Sequence, residues 1–134
     1  MGSSVVVPFG TRHLAGVIAL CEAQAWPSLP ADPERAERIL TDAEGSSFVA
    51  VDGEDVIGFA FAIVDAGALD AYLSMLVVAA SHRRQGIARR LIDAVFRDTA
   101  VVRINLLAEP GSEQFYDSFP NRTFAGYRIY PDTR

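Results

Sequence analysis

The sequence predicts an α/β (α+β) domain: a mixed, mostly antiparallel central sheet of six to seven strands with helices on both faces. Three observations predict it. Segments of strand and helix period follow one another in the order β-α-α-β-β-β-α-β-α-β. Turn signals join the three consecutive strands, which makes a hairpin arrangement of the middle of the chain. Strand–helix alternation after those hairpins completes a mixed sheet and places helices on its two faces.

The elements follow from their residues in order. Val5-Val6-Val7 begins a short strand, and Thr11 is placed to cap the helix after it. In that helix Leu14, Val17, Ile18, Cys21 and Ala25 recur at i, i+3, i+4, i+7 and i+11, a core-facing stripe. Trp26-Pro27-Ser28-Leu29-Pro30 breaks it. Asp32-Pro33-Glu34 reads as N-cap, first-position proline and first-turn acid of a second helix running to about Leu40. Ser47 to Val51 and Val56 to Val64 are strand-like, with Asp52-Gly53-Glu54-Asp55 as a hairpin turn between them. Ala66-Gly67-Ala68 turns the chain into a third strand, about Asp70 to Val78. A helix follows, with Ile87, Leu91, Ala94 and Val95 on its apolar face. Val101 to Leu107 is a nearly unbroken apolar run, expected as a central strand covered on both faces. Pro110-Gly111 precedes a short helix near Ser112 that carries Phe115, Tyr116 and Phe119. Phe124 to Tyr130 is expected to close the chain as a strand.

Composition bounds the function. The 134 residues are half hydrophobic, enough for one domain, 1–134, with a single core. No apolar run reaches about 18 residues, so neither a membrane span nor a signal peptide is expected, and a cytoplasmic protein is the default. Met1-Gly2 is no convincing myristoylation site, since Val6 stands where Ser or Thr is wanted. Cys21 lies on the apolar stripe and reads as a small core residue. One cysteine and two histidines offer no metal-ligand spacing, and no Ser/His/Asp arrangement is visible. A net charge of −5 argues against a nucleic-acid partner. The arginines are nevertheless local: Arg83, Arg84, Arg89, Arg90 and Arg97 suggest one basic pocket for a small anionic cofactor, on a surface that tolerates a cationic acceptor elsewhere.

The most specific stretch is Ser81-His82-Arg83-Arg84-Gln85-Gly86-Ile87-Ala88-Arg89-Arg90-Leu91. A strand that feeds a basic, glycine-containing turn and then a helix presents free N–H groups and a dipole of about half a positive charge to an anion. Neither a Walker loop nor a dinucleotide loop is present. Arg83-x-x-Gly86-x-Ala88 instead resembles the R/Q-x-x-G-x-G/A signature of the GNAT superfamily of N-acetyltransferases, whose element order this chain shares over essentially its whole length. The resemblance implies that Arg83, Arg84, Gln85, Gly86, Ile87, Ala88 and Arg89 hold the pyrophosphate of acetyl-coenzyme A. It also implies that the main chain of Leu76, Val77 and Val78 holds the pantetheine arm as an added strand would.

Leu106 to Tyr116 is similar to the family's strand-then-helix block, in which a tyrosine protonates the departing thiolate. Carried over, that residue is Tyr116, an O–H donor protonated at neutral pH because its ordinary pKa is about 10. Its alternative role is that of a core aromatic. The block departs from the family at Glu109, where many members carry Asn, and at Pro120-Asn121, where Gly-Phe is usual. Deprotonating an alkylamine at pH 7 costs about 4.6 kcal/mol. Some relatives place a glutamate where Tyr72 stands here; Asp70, on the same strand face, could act as a base through water or be a solvated strand start. The acceptor cleft is implied between residues 26–32 and 124–130, with Tyr72 near it and Trp26 either stacking on the acceptor or plugging the core.

The resemblance implies an acetyl-coenzyme A-dependent N-acetyltransferase acting on a primary amine of a small molecule or peptide by direct attack in a ternary complex. No metal, membrane or nucleic acid is expected to take part, and the resemblance is compatible with a homodimer. Two rivals remain open. One is a non-catalytic acyl-coenzyme A sensor or partner subunit of the same fold; the other is a nucleic-acid-binding domain using the arginine-rich helix.

Overall fold

The computed structural model describes residues 4–65, 67 and 69–132. Five strands form one sheet in sequential order: β1 (Ser4–Pro8), β2 (Gly45–Asp52), β3 (Asp55–Val64), β4 (Asp70–Val78) and β5 (Arg103–Asn105). The first four are antiparallel neighbours, and β5 joins β4 in parallel, so the sheet is mixed as expected. Among the described residues there are five strands rather than six to seven. Phe124 to Tyr130, expected as a closing strand, joins no ladder.

Four helices dress the sheet: α1 (Leu14–Ala23), α2 (Pro33–Leu40), α3 (Ile87–Thr99) and α4 (Glu113–Asp117). Val17, Leu20, Cys21, Ala36 and Leu40 of α1 and α2 pack on one face of the sheet, against Val49, Phe59, Phe61 and Val77. Ile87, Leu91, Ile92 and Val95 of α3 pack on the other face, against Ala50, Ile57, Ala60, Ala62 and Leu73, with Phe115, Tyr116 and Phe119 joining them. Alternation along each strand feeds both cores. Cys21 is buried, as its stripe position requires.

Two further expectations need correction. Thr11 does not cap α1. A single 3-10 turn, Thr11–His13, leads into the helix, and the buried His13 ring Nδ1 accepts from the Gly10 N–H at 2.9 Å. Asp32 does cap α2, its carboxylate accepting from the Arg35 N–H at 3.1 Å. The run 101–107 supplies only three strand residues, and Val102 is 65% exposed. An apolar run satisfies the pattern of a doubly covered strand, but here nothing beyond Asn105 pairs with β4. Ala66 and Ala68 of the expected turn, and Met1-Gly2, lie outside the described residues. Among the described residues no helix is long and apolar enough to cross a membrane.

Candidate active site

The site begins with a parting of two strands. β5 pairs with β4 only through Asp70, Ala71 and Tyr72, opposite Arg103, Ile104 and Asn105. From the next residue onward the outer edge of β4 is unpaired, and a notch opens between the two strands. The β3–β4 register also shifts here: Ala62 faces Leu73 and Phe61 faces Met75, leaving Ser74 as a bulge at the mouth of the notch. No sequence signal marked this bulge; Ser74 reads as an ordinary strand residue.

Alternation then decides which main-chain groups face the notch. The Ala79 N–H donates to the Ile57 carbonyl at 2.8 Å, so Ala79 and Val77 turn their main chain toward β3. Leu76 and Val78 turn theirs outward. Of the three residues expected to hold the pantetheine arm, Val77 therefore has its main chain committed to the ladder. The Val78 carbonyl accepts from Arg83 Nε at 3.1 Å, which brings the Arg83 guanidinium to the end of the free edge.

The junction after β4 supplies the donors. A 3-10 turn (Ala80–His82) leads into residues 83–86, and α3 starts at Ile87. Gly86 is the N-cap at φ 77°, ψ 10°, a left-handed conformation that glycine adopts without steric cost. Space around it is open, since a side chain built there would meet nothing within 4 Å. The first helical hydrogen bond runs from the Arg90 N–H to the Gly86 carbonyl. Among the described residues, no main-chain acceptor meets the N–H groups of residues 86 to 89. Free donors at a helix start suit an anion. Ile87 is buried in the core, so only its N–H is available.

The arginines do not form the single basic pocket their clustering suggested. Arg83 binds the Val78 carbonyl. Arg89 Nη2 donates to Ser118 Oγ at 2.7 Å, and its guanidinium lies 3.9 Å from the Phe119 ring centroid. Arg90 donates to the Ser4 hydroxyl and carbonyl, tying α3 to β1. In the junction only the exposed Arg84, at φ 64°, has a guanidinium with no partner among the described residues. Spacing shows that the cations are neighbours, but the long side chains are taken by whatever acceptor the fold brings within reach.

Tyr116 approaches from the other side. Arg89 fastens α4 to the first turn of α3, and Tyr116 packs half-buried against the core that Leu76, Val78 and Ile87 line. Its ring meets Phe115 edge-on, with centroids 5.0 Å apart. Burial pushes the phenol pKa up, so the hydroxyl keeps its proton. The ring packs as a core aromatic would, and its hydroxyl remains a donor.

The other expected residues lie further off. Asp70 sits at the opposite end of β4 from Val78. Its carboxylate is 2.7 Å from Arg103 Nε and accepts from Asn105 Nδ2 at 3.3 Å, so it clamps β5 to β4. Tyr72 lies on β4 at the last paired position, opposite Asn105. Trp26 is half-buried against the α1–α2 core, in the plugging role. A Ser–His–Asp contact chain that sequence spacing hid does exist: Ser81 Oγ is 2.7 Å from His82 Nδ1, and His82 Nε2 is 3.3 Å from Asp52 Oδ2. Asp52 lies 30 residues earlier, and the chain of contacts pins the turn after β4 to the end of β2.

The model of the acetyltransferase (GNAT) family matches residues 14–118. Among solved structures, a complex of the aminoglycoside N-acetyltransferase AAC(6')-Iy with CoA is 22% identical, covering 98% of this chain and 96% of that one, with a TM-score of 0.80. A ribosomal-protein-alanine N-acetyltransferase from Brucella melitensis biovar Abortus 2308 is 18% identical over 97% and 100% of the two chains, TM-score 0.73. A transcriptional regulator from Bacillus halodurans C-125 is 14% identical over 96% and 99%, TM-score 0.78. At these identities the likeness is one of fold. No curated protein sequence matches the chain.

Proposed function

The chain belongs to the GNAT acetyltransferase family, and on that premise we propose that it moves acetyl from acetyl-coenzyme A to a primary amine of a small molecule or peptide, the amine attacking directly in a ternary complex. One observation carries the reading: the free N–H groups at the start of α3, residues 86–89, with an open left-handed Gly86 at their head, follow closely on the free edge of β4. A diphosphate joined to an amide-bearing arm needs those two features side by side.

The residues present fit that cosubstrate. The N–H groups of residues 86–89 and the Arg84 guanidinium would hold the diphosphate. Outward main-chain groups of Leu76 and Val78 would take the arm as an added strand. Acetyl-coenzyme A supplies an activated thioester whose acyl carbon accepts the amine and whose sulfur leaves. Tyr116 holds a proton in a partly dry setting and donates it toward the leaving sulfur, a contribution of roughly 10²–10⁴ for general acids. Ser74 at the bulge and Tyr72, two residues before it at the end of the β4–β5 pairing, would face the acceptor. Asp70 is committed to Arg103, so proton removal from the amine falls to solvent in this scheme. Positioning amine and thioester together supplies about 7–11 kcal/mol. The acidic balance of the chain suits a cationic acceptor, and one structural neighbour is named for aminoglycosides.

A second reading, an acyl-coenzyme A sensor, is favoured by the same clamp on Asp70, which leaves no evident base. Calorimetry with coenzyme A, followed by thiol release from acetyl-coenzyme A across an amine panel, separates the two. Binding with turnover supports the enzyme; binding with no turnover on any amine supports the sensor. No heat at millimolar coenzyme A removes both.

A further inference from the structure

One chain of side-chain contacts, at the turn after β4, has no part in the transfer scheme. Ser81 Oγ lies 2.7 Å from His82 Nδ1, and His82 Nε2 lies 3.3 Å from Asp52 Oδ2 at the end of β2. A carboxylate only accepts, so Nε2 carries a proton and donates to Asp52, while Ser81 holds the other edge of the ring. The His82 N–H also donates to the Ala79 carbonyl at 2.9 Å. The His82 and Asp52 side chains are 25% and 36% exposed, so their contact adds little to global stability. Its place in the fold gives it another use.

Asp52 is the ladder partner of Ser4 across β1 and β2. Ser4 in turn accepts from Arg90, through its hydroxyl at 3.0 Å and its carbonyl at 2.8 Å. His82 and Arg90 therefore stand on either side of the α3 start, and both are fastened to one pair of facing strand residues. Between them, residues 83–86 belong to no helix or strand. Two of these four are left-handed, Arg84 at φ 64° and Gly86 at φ 77°. Glycine takes that conformation freely, but an arginine keeps it only where its surroundings hold it.

We propose that His82 and Asp52 are positioning residues for the cofactor: their contact fixes the entry to residues 83–86, as Arg90 on Ser4 fixes the exit, and keeps the free N–H groups at the start of α3 aimed at one point. The inference rests on the acyl-coenzyme A reading of the site. Asp52, an anion, would repel a diphosphate that it touched, and it acts only through His82. A stretch held at one end alone would have to be ordered by the ligand, and that ordering is subtracted from affinity. The effect therefore falls on cofactor binding and not on the chemical step.

Calorimetry of the full chain with coenzyme A tests it. His82→Ala and Asp52→Ala are each expected to raise the dissociation constant about tenfold, and the double variant no further, because both remove one contact. Asp52→Asn keeps an acceptor oxygen for Nε2 and should stay within about threefold of wild type. With an amine that turns over, the KM for acetyl-coenzyme A should rise about tenfold in both alanine variants, with kcat within about twofold. Ser46→Ala is the comparison. It breaks another bridge from β2 to α3, Ser46 Oγ to Asp98 Oδ2 at 2.8 Å, near the far end of the helix, and should leave coenzyme A affinity unchanged. If wild type binds and neither alanine variant weakens it, this inference falls and the cofactor reading stands. Alanine effects that add in the double variant, Asp52→Asn behaving like Asp52→Ala, an equal loss in Ser46→Ala, or a fall in kcat with KM unchanged overturn it as well. Wild type that takes up no coenzyme A overturns both.

Discussion

Residues 78–90 and residues 109–130 carry the two halves of the proposed site, but they are arranged by different means. The first stretch is a strand end, a 3-10 turn and a helix start, and its useful groups are backbone N–H donors that adjoining residues arrange. The second is a five-residue helix and a segment that joins no ladder, positioned by contacts across the fold: Arg89 to Ser118, Arg89 over Phe119, and Gly126 against Leu107. Local geometry sets the proposed cofactor end of the site, whereas the end that holds Tyr116 depends on side chains 29 residues apart finding each other. A substitution in the first stretch that spares the contacts of Arg89 should therefore act on cofactor binding, and one in the second should act on turnover.

The sharpest break of that contrast is Gly86→Val. A β-branched residue at φ 77° must leave the left-handed region or bear strain of about 1–3 kcal/mol, and either change disperses the N–H run. Coenzyme A affinity by calorimetry should fall at least about 100-fold, while Gly86→Asn, which tolerates this conformation, should lose far less. Next is Tyr116→Phe. It should lower kcat about 100-fold and leave the KM for acetyl-coenzyme A within about twofold. The pH profile sharpens this test. Because burial raises the Tyr116 pKa, its protonated form persists further into alkaline solution than an ordinary phenol, so the wild-type rate should not decline on this account below about pH 10.

Arg89→Ala probes the link between the two regions. It removes the Ser118 hydrogen bond and the stack on Phe119, costs about 1 kcal/mol in thermal unfolding, and should lower kcat about tenfold by loosening α4. Asp70→Asn is expected to change kcat less than about threefold, because its carboxylate clamps β5; a loss of 100-fold would make it the base after all. The smallest effect lies outside both regions. Burial first, and the Arg12 charge second, lower the His13 pKa, and protonation would also end its acceptance from the Gly10 N–H. A depressed folded pKa contributes stability above the ordinary value of 6.5 and loses it as the pH falls through the folded value. The melting temperature should therefore decline on acidification from about pH 6.5, and less so in His13→Asn.

Periodicity along the sequence was enough to place α2 from Asp32-Pro33 to Leu40, β4 from Asp70 to Val78, and the phosphate-type junction around Gly86. Each depends on neighbours within about four residues, through a cap, an alternation or a positive φ, and such local rules are written into the chain. Tertiary structure alone decided where β5 leaves β4 after Asn105, that Ser74 bulges, and that Phe124 to Tyr130 finds no ladder. It also decided the acceptors of Arg83, Arg89 and Arg90, and the distant Asp52 that His82 meets. Strand pairing and long side-chain contacts are settled by competition among acceptors far apart in sequence, which a pattern of apolar and polar residues does not rank.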